Sequence, residues 1–156
     1  MQKLNLPEYQ FRLKKINEKP QIFDCIRKRF FPLTPEEWVR QNLVRYLIKE
    51  KHYPESLIAV EMSLNINGQP LRSDIVLFNN LGKPILAVEC KAPSVKITQQ
   101  TFDQIARYNM QLQVKHLIVS NGIQHYCCKL RPQEGTFEFL SEIPDYKKVC
   151  IKQNNQ

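Results

Sequence analysis

The 156-residue sequence predicts a mixed α/β domain, in which a central mixed sheet is flanked by helices. Two segments have apolar residues at helical spacing, and they alternate with short apolar or alternating segments that are typical of strands. The predicted order is helix, three strands, helix, strand and a closing pair of strands. The length fits one ordinary domain, and 42% hydrophobic residues are enough to form a buried core.

The first helix is predicted from Thr34 to about Lys51. Thr34 is a suitable N-cap, Pro35 fits the first helical position, and Glu37 stands three residues after the cap. Pro54 marks the end of the segment. The apolar side of this helix is formed by Trp38, Val39, Leu43, Tyr46 and Leu47.

Six strands are predicted around a second helix, which runs from Thr98 to about Leu112. Turns at Asn67-Gly68 and at residues 79–82 join the first three strands as hairpins. Two of the segments are mostly apolar, which is typical of central strands. The six predicted strands are residues 57–66, 71–78, 84–90, 116–120, 125–130 and 136–140.

The predicted domain covers residues 33–150, between a basic N-terminal arm at residues 1–32 and a frayed tail at residues 151–156. We expect the arm to pack on the domain as a short strand or helix. Residues 1–31 hold eight Lys/Arg against three Asp/Glu, and the whole chain has a net charge of +8. A basic arm is suited to a polyanion such as nucleic acid, and a solvated basic surface is the equally weighted alternative.

The sequence argues against several classes of protein and site. It has no run of about 18 apolar residues, and its polar N-terminus lacks the apolar block of a signal peptide. Five cysteines without a Cys-x-x-Cys pair favour reduced thiols in a cytoplasmic protein over a structural zinc site. The absence of a Gly-x-x-x-x-Gly-Lys-Ser/Thr loop predicts that ATP is not bound in that way.

Three charged residues mark the candidate site. Asp74 is predicted to open the second strand, Glu89 lies near the end of the third, and Lys91 follows on the same face as Glu89. Hairpin pairing would bring Asp74 beside Glu89. Two carboxylates and an ammonium at one sheet edge suit metal-assisted hydrolysis of a phosphodiester. A structural salt bridge between Glu89 and Lys91 or Arg72 is the alternative.

Both helices contribute further candidates. Glu36 and Glu37 either stabilise the start of the first helix, or one of them reaches the metal, and of the two we choose Glu37. Gln104 and Tyr108 share one face of the second helix. They form either an ordinary polar surface or a pair that positions DNA or the lysine.

Five runs of residues occur in an order and spacing that are more specific than any single motif. They are PEEWVRQ (35–41), RSDIV (72–76), VECKAP (88–93), QIARYN (104–109) and SNG (120–122). Together they resemble the N-terminal nuclease domain of type I restriction enzyme R subunits, which belongs to the PD-(D/E)xK endonuclease superfamily. The resemblance covers about residues 33–140. Position 73 departs from the superfamily's name, because it is serine and not proline.

The resemblance implies a restriction-endonuclease-like core of helix, three strands, helix and strand (αβββαβ), with DNA cleavage that depends on Mg²⁺ or Mn²⁺. Asp74 and Glu89 would hold the metal, with the Cys90 carbonyl as a further ligand, and Lys91 would assist the nucleophilic water. Glu37 would join the site from the first helix. The residues that would support the site or contact DNA are Gln104, Tyr108, Arg72 and Arg40.

These observations lead to one expected function and one alternative. The expected function is that of a cytoplasmic, metal-dependent DNA endonuclease domain of a restriction system. The alternative is a DNA-binding module that is not active without partner subunits. The helicase motor of R subunits is absent from this sequence, which is either a free-standing relative or part of a longer protein. The expected partners are DNA and other restriction subunits, and a homodimer stays open.

Overall fold

The computed structural model describes residues 1–154, and of residues 66 and 151–154 the backbone alone. The described chain forms a mixed α/β fold with nine strands, three α-helices and a short 3-10 helix at Glu55–Leu57. The elements are β1 (Leu13–Ile16), β2 (Lys19–Asp24), β3 (Arg29–Pro32), α1 (Pro35–Lys49), β4 (Ile58–Ile66), β5 (Gln69–Phe78), β6 (Pro84–Cys90), α2 (Gln99–Met110), β7 (His116–Ser120), β8 (His125–Arg131), β9 (Thr136–Leu140) and α3 (Tyr146–Asn154).

The main sheet has six strands in the order β4-β5-β6-β7-β8-β9. Strands β6 and β7 are parallel, and every other neighbouring pair in this sheet is antiparallel. Helix α2 connects the parallel pair, since parallel neighbours need a crossover connection. The predicted mixed sheet, its six strands and both predicted helices are confirmed, with ends that differ by at most two residues.

Each face of the main sheet is covered by one helix. Leu86 and Val88 of β6 pack on the side of α1, in a core that includes Leu43 and Leu47. Ala87 lies between them in the sequence and packs with the α2 residues of the second core. Because successive strand residues point to opposite faces, a strand covered on both sides is apolar throughout. This explains the continuous apolar run of β6.

Both covering helices begin with a threonine cap. The Glu37 N–H donates to Thr34 Oγ1 at 3.0 Å, and Pro35 occupies the first turn, where no intrahelical donor is needed. In α2 the Thr101 N–H donates to Thr98 Oγ1 at 3.1 Å. The predicted Thr34 cap is therefore confirmed, and Thr98, predicted as the start of the second helix, caps that helix in the same way.

The N-terminal segment forms a separate antiparallel sheet, in the order β1-β2-β3. Sequence analysis left a strand or a helix open for this segment. Ile22 is completely buried, and Leu4, which precedes the sheet, is 7% exposed and belongs to the core on the α1 side. The Asn5 N–H donates to the Gly122 carbonyl at 2.8 Å, and the Trp38 indole N–H donates to the Gln2 carbonyl at 2.9 Å.

The C-terminal helix α3 was not predicted. It includes residues 151–154 of the segment expected to be frayed, and residues 155 and 156 lie outside the described residues. The fraying itself stays a prediction. Among the described helices none is long and apolar enough to cross a membrane.

We predict that Gly122→Ala destabilises the fold by about 2–4 kcal/mol, because it combines backbone strain with overpacking. Gly122 has φ +85°, and an added Cβ would lie 2.7 Å from Leu4 Cδ2 and 3.0 Å from Val39 Cγ2. Gly82→Ala is the matched control, since Gly82 has φ +75° with no atom within 4 Å of the added Cβ. Urea unfolding of both variants measures the difference, and equal destabilisation would refute the packing role of this contact.

Candidate active site

The register of the main sheet brings three carboxylates into one row. The pairing of Ile75 with Val88 places Asp74 of β5 opposite Glu89 of β6. The pairing of β4 with β5 places Glu61 opposite Asp74 on the other side. Directly opposite residues in antiparallel strands have neighbouring Cβ atoms. The row therefore runs across three adjacent strands, with Asp74 in its centre.

Asp74 does not open its strand, so this detail of the sequence prediction is wrong. Strand β5 begins at Gln69, because its first residues pair with the long strand β4 beyond the Asn67-Gly68 turn. Asp74 lies in mid-strand, beyond the last backbone pair that β5 makes with β6. There the Cys90 N–H donates to Asp74 Oδ2 at 2.7 Å. The carboxylate thus takes the position that a strand carbonyl would otherwise have.

Asp74 and Glu89 form a coupled carboxyl pair. Burial raises the pKa of Glu89 to about 8, and the charge of Asp74 and a hydrogen bond with it act in the same direction. A hydrogen bond with the Asn109 amide and the positive charge of Lys91 oppose this rise. Two neighbouring carboxylates that are partly removed from water share a proton more readily than both ionise. Near neutral pH the pair therefore retains one proton.

The same pair has the chemistry of a binding site for a hard divalent cation. Mg²⁺ is bound in proteins through one or two carboxylates and keeps several waters. A divalent cation would also replace the proton that the pair retains. In the part of the chain that the structure describes, no three His, Cys, Asp or Glu side chains are grouped to hold a metal. Asp74 and Glu89 thus fit such a cation as a pair, and the Cys90 carbonyl stays a predicted ligand.

A cleft of about 310 Å³ opens beside the carboxylate pair. It brings the pair together with three other residues predicted from the sequence, Arg72, Gln104 and Tyr108. The Arg72 N–H donates to the Tyr108 hydroxyl at 2.8 Å, which connects α2 to β5. Gln104 is exposed on the wall of the cleft. Space for a ligand therefore exists directly beside the two carboxylates.

Lys91 lies immediately after the end of β6. Its N–H donates to the Ser120 carbonyl at 2.8 Å, so the backbone still follows β7 at this point. Its side chain is half-buried. Its positive charge lowers the pKa of Glu89, against the effect of burial.

Glu37 does not reach the carboxylate pair. Its carboxylate is buried and accepts from Arg27 Nη2 at 2.5 Å, from Gln41 Nε2 at 2.9 Å and from Arg40. The N–H of Glu37 is capped by Thr34, which places its side chain against the N-terminal sheet. Glu37 is linked to the site through Arg40, and the neighbouring Glu36 side chain is 47% exposed.

Arg40 connects the predicted residues of α1 to the strands. It is 5% exposed, and its guanidinium faces four carboxylates. The Nη2 atom lies 2.5 Å from Glu61 Oε1, 3.6 Å from Glu36 Oε1 and 3.8 Å from Asp74 Oδ1, and Nη1 is bonded to Glu37. A buried cation is tolerated only when it is paired in this way. Arg40 is therefore part of the site's internal charge balance.

Glu61 is a site residue that sequence analysis missed. Its φ of +52° is left-handed in the middle of β4, and a residue with a Cβ adopts this conformation only under strain. Its carboxylate pairs with Arg40 and Arg72. A signal was present, because the two-residue turn Asn67-Gly68 sets the register that places Glu61 opposite Asp74.

Asn109 is the second missed residue. It is completely buried beside Glu89, and its Nδ2 donates to the Ile105 carbonyl at 2.9 Å. It follows Phe102 and Ala106 on the buried side of α2. The signal in the sequence was a polar residue at a position that helical spacing places on the buried side, because a buried amide requires polar partners.

We predict that, in the presence of a chelator, the free energy of unfolding decreases between about pH 5 and 8. The folded-state pKa of Glu89 lies above its ordinary value, so the folded protein binds more protons than the unfolded chain in this window. The steepest slope is about 1.4 kcal/mol per pH unit. Urea unfolding at several pH values should show a flatter profile for Glu89→Gln, and an unchanged one for Glu134→Gln at an exposed position. Identical profiles for wild type and Glu89→Gln would contradict the shared proton.

No curated protein matches the chain. The family model described as type I restriction enzyme R protein N terminus matches residues 35–144. The matched range begins at α1 and contains every strand of the main sheet together with Asp74, Glu89 and Lys91. The chain thus belongs to the family of type I restriction enzyme R protein N-terminal domains.

Proposed function

We propose that this chain is a metal-dependent DNA endonuclease domain that hydrolyses phosphodiester bonds at Asp74, Glu89 and Lys91. The observation that carries the proposal is the cross-strand pair of Asp74 and Glu89, which opens onto a cleft. Membership of the restriction enzyme family supports DNA as the substrate. The expected partners are DNA and other subunits of a restriction system in the cytoplasm.

The order of elements supports a restriction-endonuclease-like core. Elements α1, β4, β5, β6, α2 and β7 follow one another in the order αβββαβ that the PD-(D/E)xK resemblance implies. The carboxylates lie on the second and third strands of this unit, and Lys91 directly follows the third. Gln104 and Tyr108 lie on the helix that follows. The second and third strands and the helix that follows them thus contribute the residue types that this chemistry requires.

Asp74 and Glu89 would hold Mg²⁺ or Mn²⁺, with the Cys90 carbonyl as a further ligand. A metal ion held by these residues would act as a Lewis acid toward the phosphate and would lower the pKa of a bound water. Asp74 is prepared for this role, because the Cys90 N–H holds its Oδ2 and Arg40 faces its Oδ1. Side chains that are already held in place lose less conformational freedom when a metal ion binds. Asn109 lines the same cleft as Glu89 from the side of α2 and lowers the pKa of Glu89.

Lys91 would supply positive charge where negative charge develops on the phosphate. Its ammonium acts on Glu89 from the end of β6 and can donate hydrogen bonds to a phosphate oxygen or the attacking water. Gln104 and Tyr108 line the adjacent cleft, where an amide and a phenol can orient the DNA strand. Positioning of water and phosphate by such groups lowers the barrier without further chemistry by the protein.

We predict that the wild type nicks supercoiled plasmid with Mg²⁺ or Mn²⁺ and not with chelator. Lys91→Ala and Asp74→Asn should each lower the rate by about 10²-fold or more, because charge stabilisation or metal binding is lost. Asparagine is used because alanine would leave the Cys90 N–H without its acceptor. Lys83→Ala is the matched control, since it removes one positive charge from the exposed turn at the opposite end of the same hairpin.

Two outcomes would contradict the proposal, and a third would favour the partner-dependent alternative. Cleavage by Asp74→Asn at the wild-type rate would remove the carboxylate pair from the mechanism. If no variant cuts, while isothermal titration shows that the wild type binds Mn²⁺ and Asp74→Asn does not, the chain is a partner-dependent module. Addition of other restriction subunits should then restore cleavage to the wild type alone. Absence of both metal binding and cleavage would refute the nuclease assignment.

A further inference from the structure

The N-terminal sheet has one face that is directed away from the main domain, which we call the outer face. The other face carries Ile22 and Asp24, which are 0% and 3% exposed. Strand register and the bond between the Phe23 N–H and the Arg12 carbonyl define the outer face as Arg12, Lys14, Ile16, Lys19, Gln21, Phe23, Phe30 and Pro32. The set contains three cations and no carboxylate, and the neighbouring Glu18 lies in the turn between β1 and β2.

Two of these cations are held in place by aromatic rings. The Arg12 guanidinium lies 4.6 Å from the centroid of Phe23 and 5.6 Å from that of Phe30. The Lys14 ammonium lies 4.0 Å from the centroid of Phe30. Cation–π contacts restrict long side chains that would otherwise lose much rotamer freedom on binding. The outer face therefore presents its charges in a defined arrangement.

The outer face is continuous with the carboxylate site. Pro32 belongs to the outer face and also lines a cleft of about 610 Å³, together with Arg27, Phe31 and Arg72 and with the acids Glu36, Glu37 and Glu61. Arg72 lines the smaller cleft beside Asp74 as well. Pro32 and Arg72 thus connect the outer face, through the larger cleft, with the cleft beside the two carboxylates.

Most charges of the site are balanced within it. Asp74, Glu89 and Glu61 carry negative charge, Arg40 and Arg72 are paired with carboxylates, and Lys91 is a further cation beside Glu89. Arg40 is committed to four carboxylates, and Arg27 is bonded to Asp24 and Glu37. Association of DNA with such a site requires a cationic surface beside it. The outer face supplies that surface.

We propose that the outer face binds the phosphate backbone of duplex DNA and positions it at the carboxylate cleft. The inference rests on the proposed function, because it takes DNA as the substrate. Duplex is favoured over single-stranded DNA, since the rings of Phe23 and Phe30 are half-buried and contacted by Arg12 and Lys14, which leaves less ring surface for base stacking. Contacts to phosphate make the binding independent of base sequence.

The test is fluorescence anisotropy with two duplexes of unrelated sequence, in chelator, over about 50 to 200 mM salt. The double variant Arg12→Ala/Lys14→Ala should bind both duplexes about tenfold more weakly. It should also reduce the slope of log K against log salt by about 1.8, since each lost phosphate contact removes about 0.9. Arg12→Lys/Lys14→Arg retains both charges and should bind like the wild type.

The matched control is Lys83→Ala/Lys147→Ala, which removes the same charge from exposed positions outside the N-terminal sheet and should retain the wild-type slope. Circular dichroism and urea midpoints confirm that the variants are folded. Equal losses in the two alanine pairs, or no loss in either, would overturn the inference. Binding through the outer face without plasmid cleavage and without Mn²⁺ binding would refute the nuclease alone. If Arg12→Ala/Lys14→Ala cleaves plasmid and binds both duplexes like the wild type, the inference alone is refuted.

Discussion

The buried guanidinium of Arg40 is the interaction on which the arrangement of the site depends. It contributes one positive charge to a region where Glu36, Glu37, Glu61 and Asp74 converge from α1, β4 and β5. Without that charge, the desolvation and mutual repulsion of these carboxylates would oppose the packing of the helix on the strands. The position of α1 on the sheet therefore depends on this pairing, because α1 can cover the sheet only where Arg40 meets the carboxylates.

The carboxylate pair lowers the local stability of the fold. Asp74 and Glu89 lie side by side in a partly desolvated position, and the pair retains a proton that isolated carboxylates would lose. Glu61 adds backbone strain in the neighbouring strand. Such costs are typical of functional sites, where ligand binding and not folding relieves the repulsion. The extensive apolar cores on both faces of the sheet are what allow the fold to tolerate them.

The N-terminal segment contributes to the same charge network. Arg27 pairs with Asp24 on one side and with Glu37 on the other, so the small sheet is joined to the first turn of α1. Leu4 packs against the turn at Gly122, which follows β7. These contacts give the basic segment a fixed orientation relative to the carboxylates. A surface that binds a polyanion is effective for catalysis only when it has such an orientation.

The sequence alone determined the elements of the main domain and the neighbourhood of Asp74 and Glu89, because caps, periodicity and two-residue turns are local signals. Threonine caps mark both helices, and the hairpin turns set the order of the three strands that carry the acids. Tertiary structure decided the partners of Glu37, the central position of Arg40 and the strain at Glu61. These depend on which distant segments meet, since a buried charge selects its partners in space and no local pattern encodes that choice.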